Sequence, residues 1–364
     1  MWGHEVKPRS PTAPVLLSPL IIVTPLESIL HDLITASPNG RVSFSSVMEL
    51  ALYHEEFGYY GPGPRRIGRE GDFFTSVSVG PLYGRLLAQF ALQEWQRLGE
   101  PADFALIEQG VHDGQLAADI LDAVEIPGVK YLILEPNPRY RVVQRQRLGT
   151  RVGWLESLTE APAHAFFLSN ELPDAFPVDL VRWDGSMWQE LQVDAERRFV
   201  PCSPGSPELA AEIAKLPTGL EPGHIMEIGL TALNWVRELS SAPFQGGVFI
   251  ADYGLDEDEF TTRPAGTLRR YRDHQTDDKV LEELGRCDLT AHVNFTRLIA
   301  EAERHGLKTG HYDLQGRFLT RLAVPWLKKL EGQPLGAGVL RQFQSLTHPA
   351  LMGRSFRCLW MEKP

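Results

Sequence analysis

The stretch DFALIEQGVHDG (103–114), followed about twenty residues later by YLILEPN (131–137), decides the fold. The first run has the pattern of a buried strand that ends in an acid, then a glycine-bearing turn and the start of a helix. The second run predicts another strand that also ends in an acid, Glu135. In an open α/β sheet, the turn after the first strand lies against a nucleoside-containing cofactor, and an acid on the second strand accepts hydrogen bonds from the ribose hydroxyls.

The glycine spacing distinguishes two kinds of cofactor. A dinucleotide site has the pattern G-x-G-x-x-G, whereas here only Gly110 and Gly114 are present, with His112 and Asp113 between them. The pattern E-x-G-x-x-x-G favours S-adenosylmethionine (SAM), because SAM has no pyrophosphate that needs bare backbone N–H groups. Glycine-bearing strand–helix turns also occur without any nucleotide, so a purely structural turn stays open as an alternative.

Composition bounds the class of protein. The chain has 364 residues, 43% of them apolar and 23% charged, which is typical of an ordinary globular protein with a core. The net charge of −11 and the lack of long lysine/arginine blocks argue against nucleic-acid binding but permit a basic protein partner. The cysteines Cys202, Cys287 and Cys358 are odd in number and have no metal-ligand spacing. They indicate a reducing compartment, and we predict a cytoplasmic location without a metal site.

The N-terminal stretch PVLLSPLIIVTPL (14–26) requires a check for membrane segments. Its apolar run is about half of the ~20 residues that span a bilayer, and proline interrupts it. No small-residue cleavage site follows, which argues against the alternative of a signal peptide. We predict an extension over residues 1–25, flexible or strand-like, and no membrane span.

The remaining chain divides into two parts. Residues 26–100 form a helical segment whose loop GYYGPGPRRIGREGDFFTS (58–76) is predicted to act as a lid over the site. Its helices are predicted at 26–37, 43–57 and 79–99. Residues 101–364 form the core, in which alternating strands and helices predict an α/β fold with a doubly wound, largely parallel sheet.

The core elements follow from periodicity. Strands are predicted at 103–109, 131–136, 151–154, 165–169, 246–252 and 307–314, with a closing antiparallel strand at 356–363. Helices are predicted at 114–124, 138–148, 222–241, 293–305 and 318–330. An inserted β-hairpin is predicted at about 180–201 around an Asp-Gly turn. Loops are predicted at 203–209, 263–278 and 288–295.

Polar residues follow two further predicted strands. AFFLSNELPDAFPVD (165–179) places Asn170, Glu171 and Asp174 at a strand end, and GGVFIADYG (246–254) places Asp252 at another. Ligands of open α/β sheets bind beyond these ends. Methyl transfer needs an aligned nucleophile and can use a carboxylate that orients or deprotonates it. The alternative is that Asn170, Asp174 and Asp252 only cap turns.

Several motifs in one order resemble a known family, the MidA-like SAM-dependent methyltransferases, whose mitochondrial members assist assembly of respiratory complex I. The matching pieces are GYY (58–60), IGREGDFFTS (67–76), the glycine turn after Glu108, NELPDAFPV (170–178), IADYG (250–254), GTLRRYRDH (266–274), DLTAHVNF (288–295) and LTHPALMGRSF (346–356). The resemblance implies a seven-stranded class I SAM-methyltransferase fold with helical and β insertions, and methylation of arginine on a protein substrate.

The resemblance also implies roles for particular residues. It places Glu108, Gly110, Gly114 and Glu135 against SAM, with Asn170 and Glu171 beside the transferred methyl group. It places Asp72, Thr75 and Ser76 in the loop that closes over SAM. An arginine substrate must be held by carboxylates, because its planar guanidinium stays protonated. We predict Glu171 and Asp174 for this role, with Asp252 in reserve.

Two positions depart from the pattern of the family. Val111-His112 replaces the Pro-Gly of E-x-G-P-G-x-G, and Asn294 replaces the acid of D-x-T-A-H-V-D-F. We expect both replacements to lie at the site. They leave open the alternative of a catalytically impaired relative that binds a partner or the cofactor, and fold alone also permits other chemistry such as nicotinamide-linked redox.

Overall fold

The computed structural model describes residues 24–63, 75–272, 275–329 and 336–364. The apolar stretch 14–26 lies almost entirely outside these ranges, and so does the central part of the predicted lid 58–76.

The described residues contain the following elements. The helices are α1 Pro25–Ala36, α2 Phe44–Tyr53, α3 Leu82–Arg97, α4 Gln115–Leu121, α5 Pro138–Leu148, α6 Pro207–Ile213, α7 Leu230–Ser241, α8 Glu257–Phe260, α9 Phe295–Arg304, α10 Gln315–Lys329 and α11 Ala337–Thr347. The strands are β1 Arg41–Ser43, β2 Ala105–Gln109, β3 Lys130–Leu134, β4 Gly153–Leu155, β5 His164–Asn170, β6 Asp179–Trp183, β7 Trp188–Asp194, β8 Phe199–Cys202, β9 Ile225–Ile228, β10 Gln245–Leu255, β11 Arg269–Arg272, β12 Gln275–Asp277, β13 Asp288–Thr290, β14 Val293–Asn294, β15 Lys308–Leu314 and β16 Phe356–Lys363.

The central sheet has the strand order β15-β16-β10-β5-β2-β3-β4, with β14 paired to the end of β10. Strands β10, β5, β2, β3 and β4 are parallel neighbours, and β16 runs antiparallel between β15 and β10. The predicted α/β class and the closing antiparallel strand are therefore confirmed.

Helices cover both faces of this sheet, so successive strand residues are buried on opposite sides. Leu106 and Leu168 point into a core formed with α3, α4, α10 and α11. Ile107 and Phe167 point into the opposite core, formed with α7 and α9. Burial on both faces explains why these strands read as continuous apolar runs in the sequence.

A second, antiparallel sheet has the order β1-β7-β6-β9, with β8 also paired to β7. The predicted hairpin corresponds to β6 and β7, and Asp184 closes its turn by accepting hydrogen bonds from the N–H groups of Ser186 and Met187. The sheet also takes β1 from the N-terminal segment, and α1 and α2 pack with it in one core. The N-terminal segment is thus bound to the insertion, which positions it over the edge of the central sheet.

Four local predictions are wrong. The helix predicted at 222–241 starts only at Leu230, because Ile225–Ile228 forms β9 and pairs with β6. The loops predicted at 263–278 and 288–295 contain β11, β12 and β13, which form a small antiparallel sheet. The loop predicted at 203–209 contains the start of α6. Pairing of β9 with β6, and of β11 with β13, overrides the local pattern. The start of α6, in contrast, follows from a local signal, because Ser206 is its N-cap and Pro207 stands in its first turn.

Candidate active site

A cavity of about 820 Å³ lies at the carboxyl ends of β2, β3, β5 and β10. The turn after α2 and the small sheet of β11 and β13 form its other walls, through Tyr60, Tyr271 and Asp288. Seven of the predicted site residues line this one cavity: Thr75, Glu108, Gly110, Glu135, Asn170, Glu171 and Asp174.

The other predicted site residues lie outside the cavity lining. Ser76 is fully buried, and its backbone N–H donates to Oε1 of Glu171 at 3.1 Å. Gly114 is the N-cap of α4. Asp252 is fully buried beneath the cavity. Asp72 lies outside the described residues.

The turn after β2 has three residues in the left-handed region, with φ of +82° at Gly110, +51° at His112 and +87° at Gly114. A Cβ at Gly110 would lie 3.0 Å from Cβ of Leu172, so a side chain there would crowd Leu172 as well as strain the backbone. His112 adopts this conformation without being glycine, and it lines the cavity. Its ring packs edge-to-face on Tyr140, with the ring centroids 5.6 Å apart.

Glu135 follows β3 and is 8% exposed. Its Oε1 accepts from the backbone N–H of Asn137 at 2.9 Å, and its Oε2 accepts from Nε2 of Gln144 at 3.1 Å. Burial raises the pKa of Glu135, while these two donors oppose that shift. Each carboxylate oxygen keeps a lone pair that can accept a further hydrogen bond.

Glu108 lies on β2, the strand that pairs with β3. The hydroxyl of Tyr131 donates to it, and burial raises its pKa to about 7. A nucleoside-containing ligand with a ribose fits this site for three reasons. The turn has no side chain at Gly110, the carboxylate of Glu135 can accept further hydrogen bonds, and the cavity is large enough.

Glu171 lies at the turn after β5 with φ of +53°. Its Oε1 accepts from the N–H of Ser76 and, at 3.0 Å, from Nδ2 of Asn170, whose Oδ1 in turn accepts from the hydroxyl of Tyr83 at 2.7 Å. Burial raises the pKa of Glu171 to about 7. A side chain held this firmly in a left-handed backbone is typical of a functional position.

Asp252 and Asp174 are neighbouring buried acids, with Asp174 at the cavity and Asp252 beneath it. Oδ2 of Asp252 accepts from the backbone N–H of Asp174 at 3.1 Å, and Oδ1 accepts from the N–H of Tyr253 at 2.7 Å. Asp174 lines the cavity, and its pKa is raised by burial first and then by the charges of Asp288 and Glu171. Like charges held together in this way favour uptake of a cation.

Sequence reasoning gave no individual role in the site to three residues of this cavity, Asp288, Tyr53 and Tyr60. Asp288 is 1% exposed and accepts a 2.9 Å hydrogen bond from the hydroxyl of Tyr60, although 228 positions separate them. Tyr53 stacks on Tyr60 with ring centroids 5.9 Å apart. Tyr60 and Asp288 stand in the motifs GYY and DLTAHVNF, but no local pattern shows that these motifs meet.

The two replacements have different locations. His112 lines the cavity, as expected. The expectation for Asn294 is wrong: it is the N-cap of α9, and its Oδ1 accepts from the N–H of Arg297 at 3.1 Å. Asn and Asp are equally good N-caps, so this replacement keeps the structural role of the acid.

Comparison with known proteins gives a consistent picture. Residues 86–312 match the family described as "Putative S-adenosyl-L-methionine-dependent methyltransferase". The mitochondrial protein arginine methyltransferase NDUFAF7 of Xenopus laevis is 25% identical, over 90% of this chain and 82% of the relative. The Drosophila melanogaster homolog of NDUFAF7 is 28% identical, over 88% and 82%. A COG1565 superfamily protein from Burkholderia thailandensis, solved with S-adenosyl-homocysteine, has a TM-score of 0.82 and 28% identity, covering 93% of this chain and 91% of that one.

The match over more than half of the chain places it in a defined class: this is a SAM-dependent methyltransferase. The chain belongs to that family, its cofactor is SAM, and its fold is the class I methyltransferase fold. The predicted resemblance and cofactor are confirmed, and the nicotinamide alternative is wrong.

The prediction of the subcellular location is also wrong. The curated relatives carry mitochondrial names, which contradicts the cytoplasmic location that we inferred from the cysteines. Within the described residues, no helix has both the length and the apolar character needed to cross a bilayer.

Proposed function

We propose that this chain methylates an arginine side chain of a protein substrate, with the guanidinium held at the acidic end of the cavity. The observation that carries this proposal is the position of Glu171, Asp174 and Asp288 in the same cavity as Glu135 and the glycine turn. None of the described lysines and arginines forms an ion pair with Glu171 or Asp174. The names of the relatives support arginine as the acceptor.

The physical chemistry of arginine fits these residues. Its guanidinium remains protonated in proteins and presents a planar fork of donors that pairs best with carboxylates. Buried carboxylates whose pKa values are raised by burial and by one another gain most from a bound cation. The bound cofactor supplies an electrophilic methyl group, and the chain must present one guanidinium nitrogen to it in line.

Glu171 is proposed to orient that nitrogen and accept its proton. Oε1 of Glu171 already accepts two hydrogen bonds, so Oε2 is the oxygen available to the substrate. Its pKa of about 7 suits an acceptor of protons near neutral pH. Asp174 is proposed to pair with the remaining donors of the fork.

Asp252 is proposed to act as a positioning residue. It is fully buried, and both of its oxygens accept backbone N–H groups, one of them from Asp174. Deleting its carboxylate would release the turn that carries Asp174.

The remaining predicted residues are proposed to serve the cofactor. Glu135 binds the ribose, Gly110 and Gly114 shape the turn beside it, and Glu108 and Asn170 line the same end. Thr75 faces the cavity, and Ser76 holds Glu171 in place.

The test is Glu171→Gln, which keeps Oε1 and both of its donors but removes the charge. We expect methyl transfer from labelled SAM to proteins of a cognate extract to fall at least about a hundredfold, because the cation loses its main partner. Affinity for S-adenosylhomocysteine (SAH), measured by calorimetry, should stay within a few fold. Glu221→Gln, at an exposed glutamate, is the charge-matched control.

The pH dependence gives a second readout of the same role. With a free-enzyme pKa of about 7, the carboxylate form of Glu171 is lost below neutral pH. We expect kcat/KM of the wild type to fall by about tenfold per pH unit below that value. Glu171→Gln transferring methyl groups at the wild-type rate contradicts the proposal.

His112 supports one alternative, a catalytically impaired relative, because a side chain stands where the turn faces the cavity. Wild-type protein that binds SAH but labels nothing in the cognate extract would favour this alternative.

A further inference from the structure

Three strand ends of the central sheet converge on one buried amide. Gln144 lies on α5 and is fully buried. Its Nε2 donates to Oε2 of Glu135 at 3.1 Å and to the carbonyl oxygen of His112 at 3.0 Å. Its Oε1 accepts from Nε1 of Trp154 on β4 at 3.0 Å. The amide therefore joins the turn after β2, the acid after β3 and the strand β4.

The orientation of this amide is fixed by chemistry. The indole N–H of Trp154 can only donate, so it must face the oxygen of the Gln144 amide. The amide nitrogen must then face Glu135 and His112, which both offer oxygen acceptors. Its two hydrogens match these two acceptors, and every polar atom of the Gln144 side chain is used. Trp154 also packs against Arg145, whose guanidinium lies over its ring, 4.8 Å from the ring centre.

We propose that Gln144 is a positioning residue of the SAM site, which fixes the distance between Glu135 and the turn at His112 and is oriented for this by Trp154. These two parts of the site come from different strands, and Gln144 is the side chain that hydrogen-bonds to both. The inference depends on the cofactor of the family and not on the identity of the methyl acceptor.

Two consequences for the site follow. The donor from Gln144 opposes the rise in pKa that burial causes at Glu135, and so favours the charged form that accepts ribose hydroxyls. The bond to the carbonyl of His112 holds a non-glycine residue in the left-handed region, where a side chain is strained. Gln144 thus lets this chain tolerate histidine in the turn.

Gln144→Glu is the sharpest test, because it has the same shape but replaces the donor by an oxygen that faces two acceptors. We expect the affinity for SAH at pH 8 to fall at least tenfold, measured by calorimetry. The cause is repulsion between the new carboxylate and both Glu135 and the carbonyl of His112.

The direction of the pH dependence separates this role from a merely structural one. The titratable and charged groups that face Glu135 are Arg141 and His112, and a positive charge on either favours its carboxylate form. The affinity of the wild type for SAH should stay level or fall from pH 8 to pH 6, because protonation of Glu135 removes a hydrogen-bond acceptor for the ribose. In Gln144→Glu, a proton shared between the two acids restores a donor, so the affinity should rise over the same range.

Two further variants complete the set. Gln144→Leu removes both donors without adding charge, and it should weaken SAH binding and move the acidic loss of affinity to higher pH. Trp154→Phe removes only the N–H that orients the amide, and we expect a smaller loss of affinity, about two- to fivefold. Gln146→Glu, on the exposed side of α5, makes the same charge change and should bind SAH within about twofold of the wild type.

Folding of each variant is checked by thermal denaturation without ligand. If Gln144→Glu does not fold, Gln144→Leu and Trp154→Phe decide the question. Folded Gln144 variants that bind SAH within twofold of the wild type, with the same pH dependence, overturn the proposal.

Discussion

At the scale of single residues, the departure at His112 has a defined geometry. The backbone at residue 112 is left-handed, the carbonyl of His112 accepts a hydrogen bond from Gln144, and the residue lines the cavity. The side chain and the backbone conformation therefore contribute separately, and substitutions can distinguish them.

We predict that His112→Gly and His112→Ala both tighten SAH binding, because each removes the imidazole of a residue that lines the cavity. Glycine adopts the left-handed region without strain, whereas alanine does not. The free energy of unfolding of His112→Gly should therefore exceed that of His112→Ala by about 1 kcal/mol. Calorimetry gives the affinities, and urea denaturation gives the free energies of unfolding. Weaker SAH binding by both variants would instead make the imidazole a cofactor contact.

At the scale of elements, the start of α5 connects the cofactor site to the segment after α2. The N–H of Asn137 donates to Glu135, while its Nδ2 donates to the carbonyls of Tyr60 and Gly61, each at 3.2 Å. Arg139 also donates to the carbonyl of Gly61, at 3.0 Å. Since Tyr60 donates to Asp288, this segment is fixed between the two ends of the cavity.

We predict that Asn137→Asp loosens the segment 59–63 without disturbing α5. The variant keeps Oδ1, which accepts from the N–H of Arg139 as the N-cap, but loses the donor to the two carbonyls. Two hydrogen bonds worth about 1 kcal/mol each correspond to amide exchange faster by about tenfold or more. Hydrogen exchange with mass spectrometry measures this effect.

The charge-matched control for this change is Asn39→Asp, at an exposed turn residue. It should leave exchange in the segment 59–63 as in the wild type. Addition of SAH should slow exchange in this segment in the wild type, because ligand at Glu135 stabilises Asn137. Unchanged exchange in Asn137→Asp would show that the other contacts of the segment are sufficient.

At the scale of the whole molecule, the buried acids tie stability to pH. Burial raises the pKa of Glu108 and Glu171 to about 7 and that of Asp179 to about 6. A raised folded-state pKa means that the folded protein holds the proton more tightly than the unfolded chain. The resulting stability is fully present below the unfolded pKa and is lost as the pH rises through the folded one.

We therefore predict that the Tm falls as the pH is raised from 6 to 8. Glu171→Gln removes one desolvated carboxylate while keeping its hydrogen bonds, so it should raise the Tm at pH 8 by about 2 °C or more and flatten the pH dependence. Differential scanning calorimetry measures both. Glu221→Gln makes the same change of net charge at an exposed site, and it should neither raise the Tm at pH 8 nor flatten its pH dependence. A Glu171→Gln variant that is less stable than the wild type at pH 8 would contradict the view that the buried carboxylate of Glu171 destabilises the folded protein at that pH.

The sequence alone was sufficient for the features that depend on local order. Alternating apolar runs and helical periods predict the α/β sheet, because burial on both faces leaves a local pattern. The glycine spacing predicts SAM rather than a dinucleotide, and acids at strand ends predict where Glu135, Asn170, Glu171 and Asp174 gather, because parallel strands end at the same edge of a sheet.

Only the tertiary structure decided which distant residues meet. The pairing of Tyr60 with Asp288, the amide of Gln144 between three strand ends, and β9 in place of a helix all depend on contacts between separate parts of the chain. The same is true of Asn294, which caps a helix, and of Asp252, which is buried beneath the cavity. Periodicity and turn chemistry report on neighbours along the chain, whereas these roles are set by packing between elements, and so a single sequence carries no local signal for them.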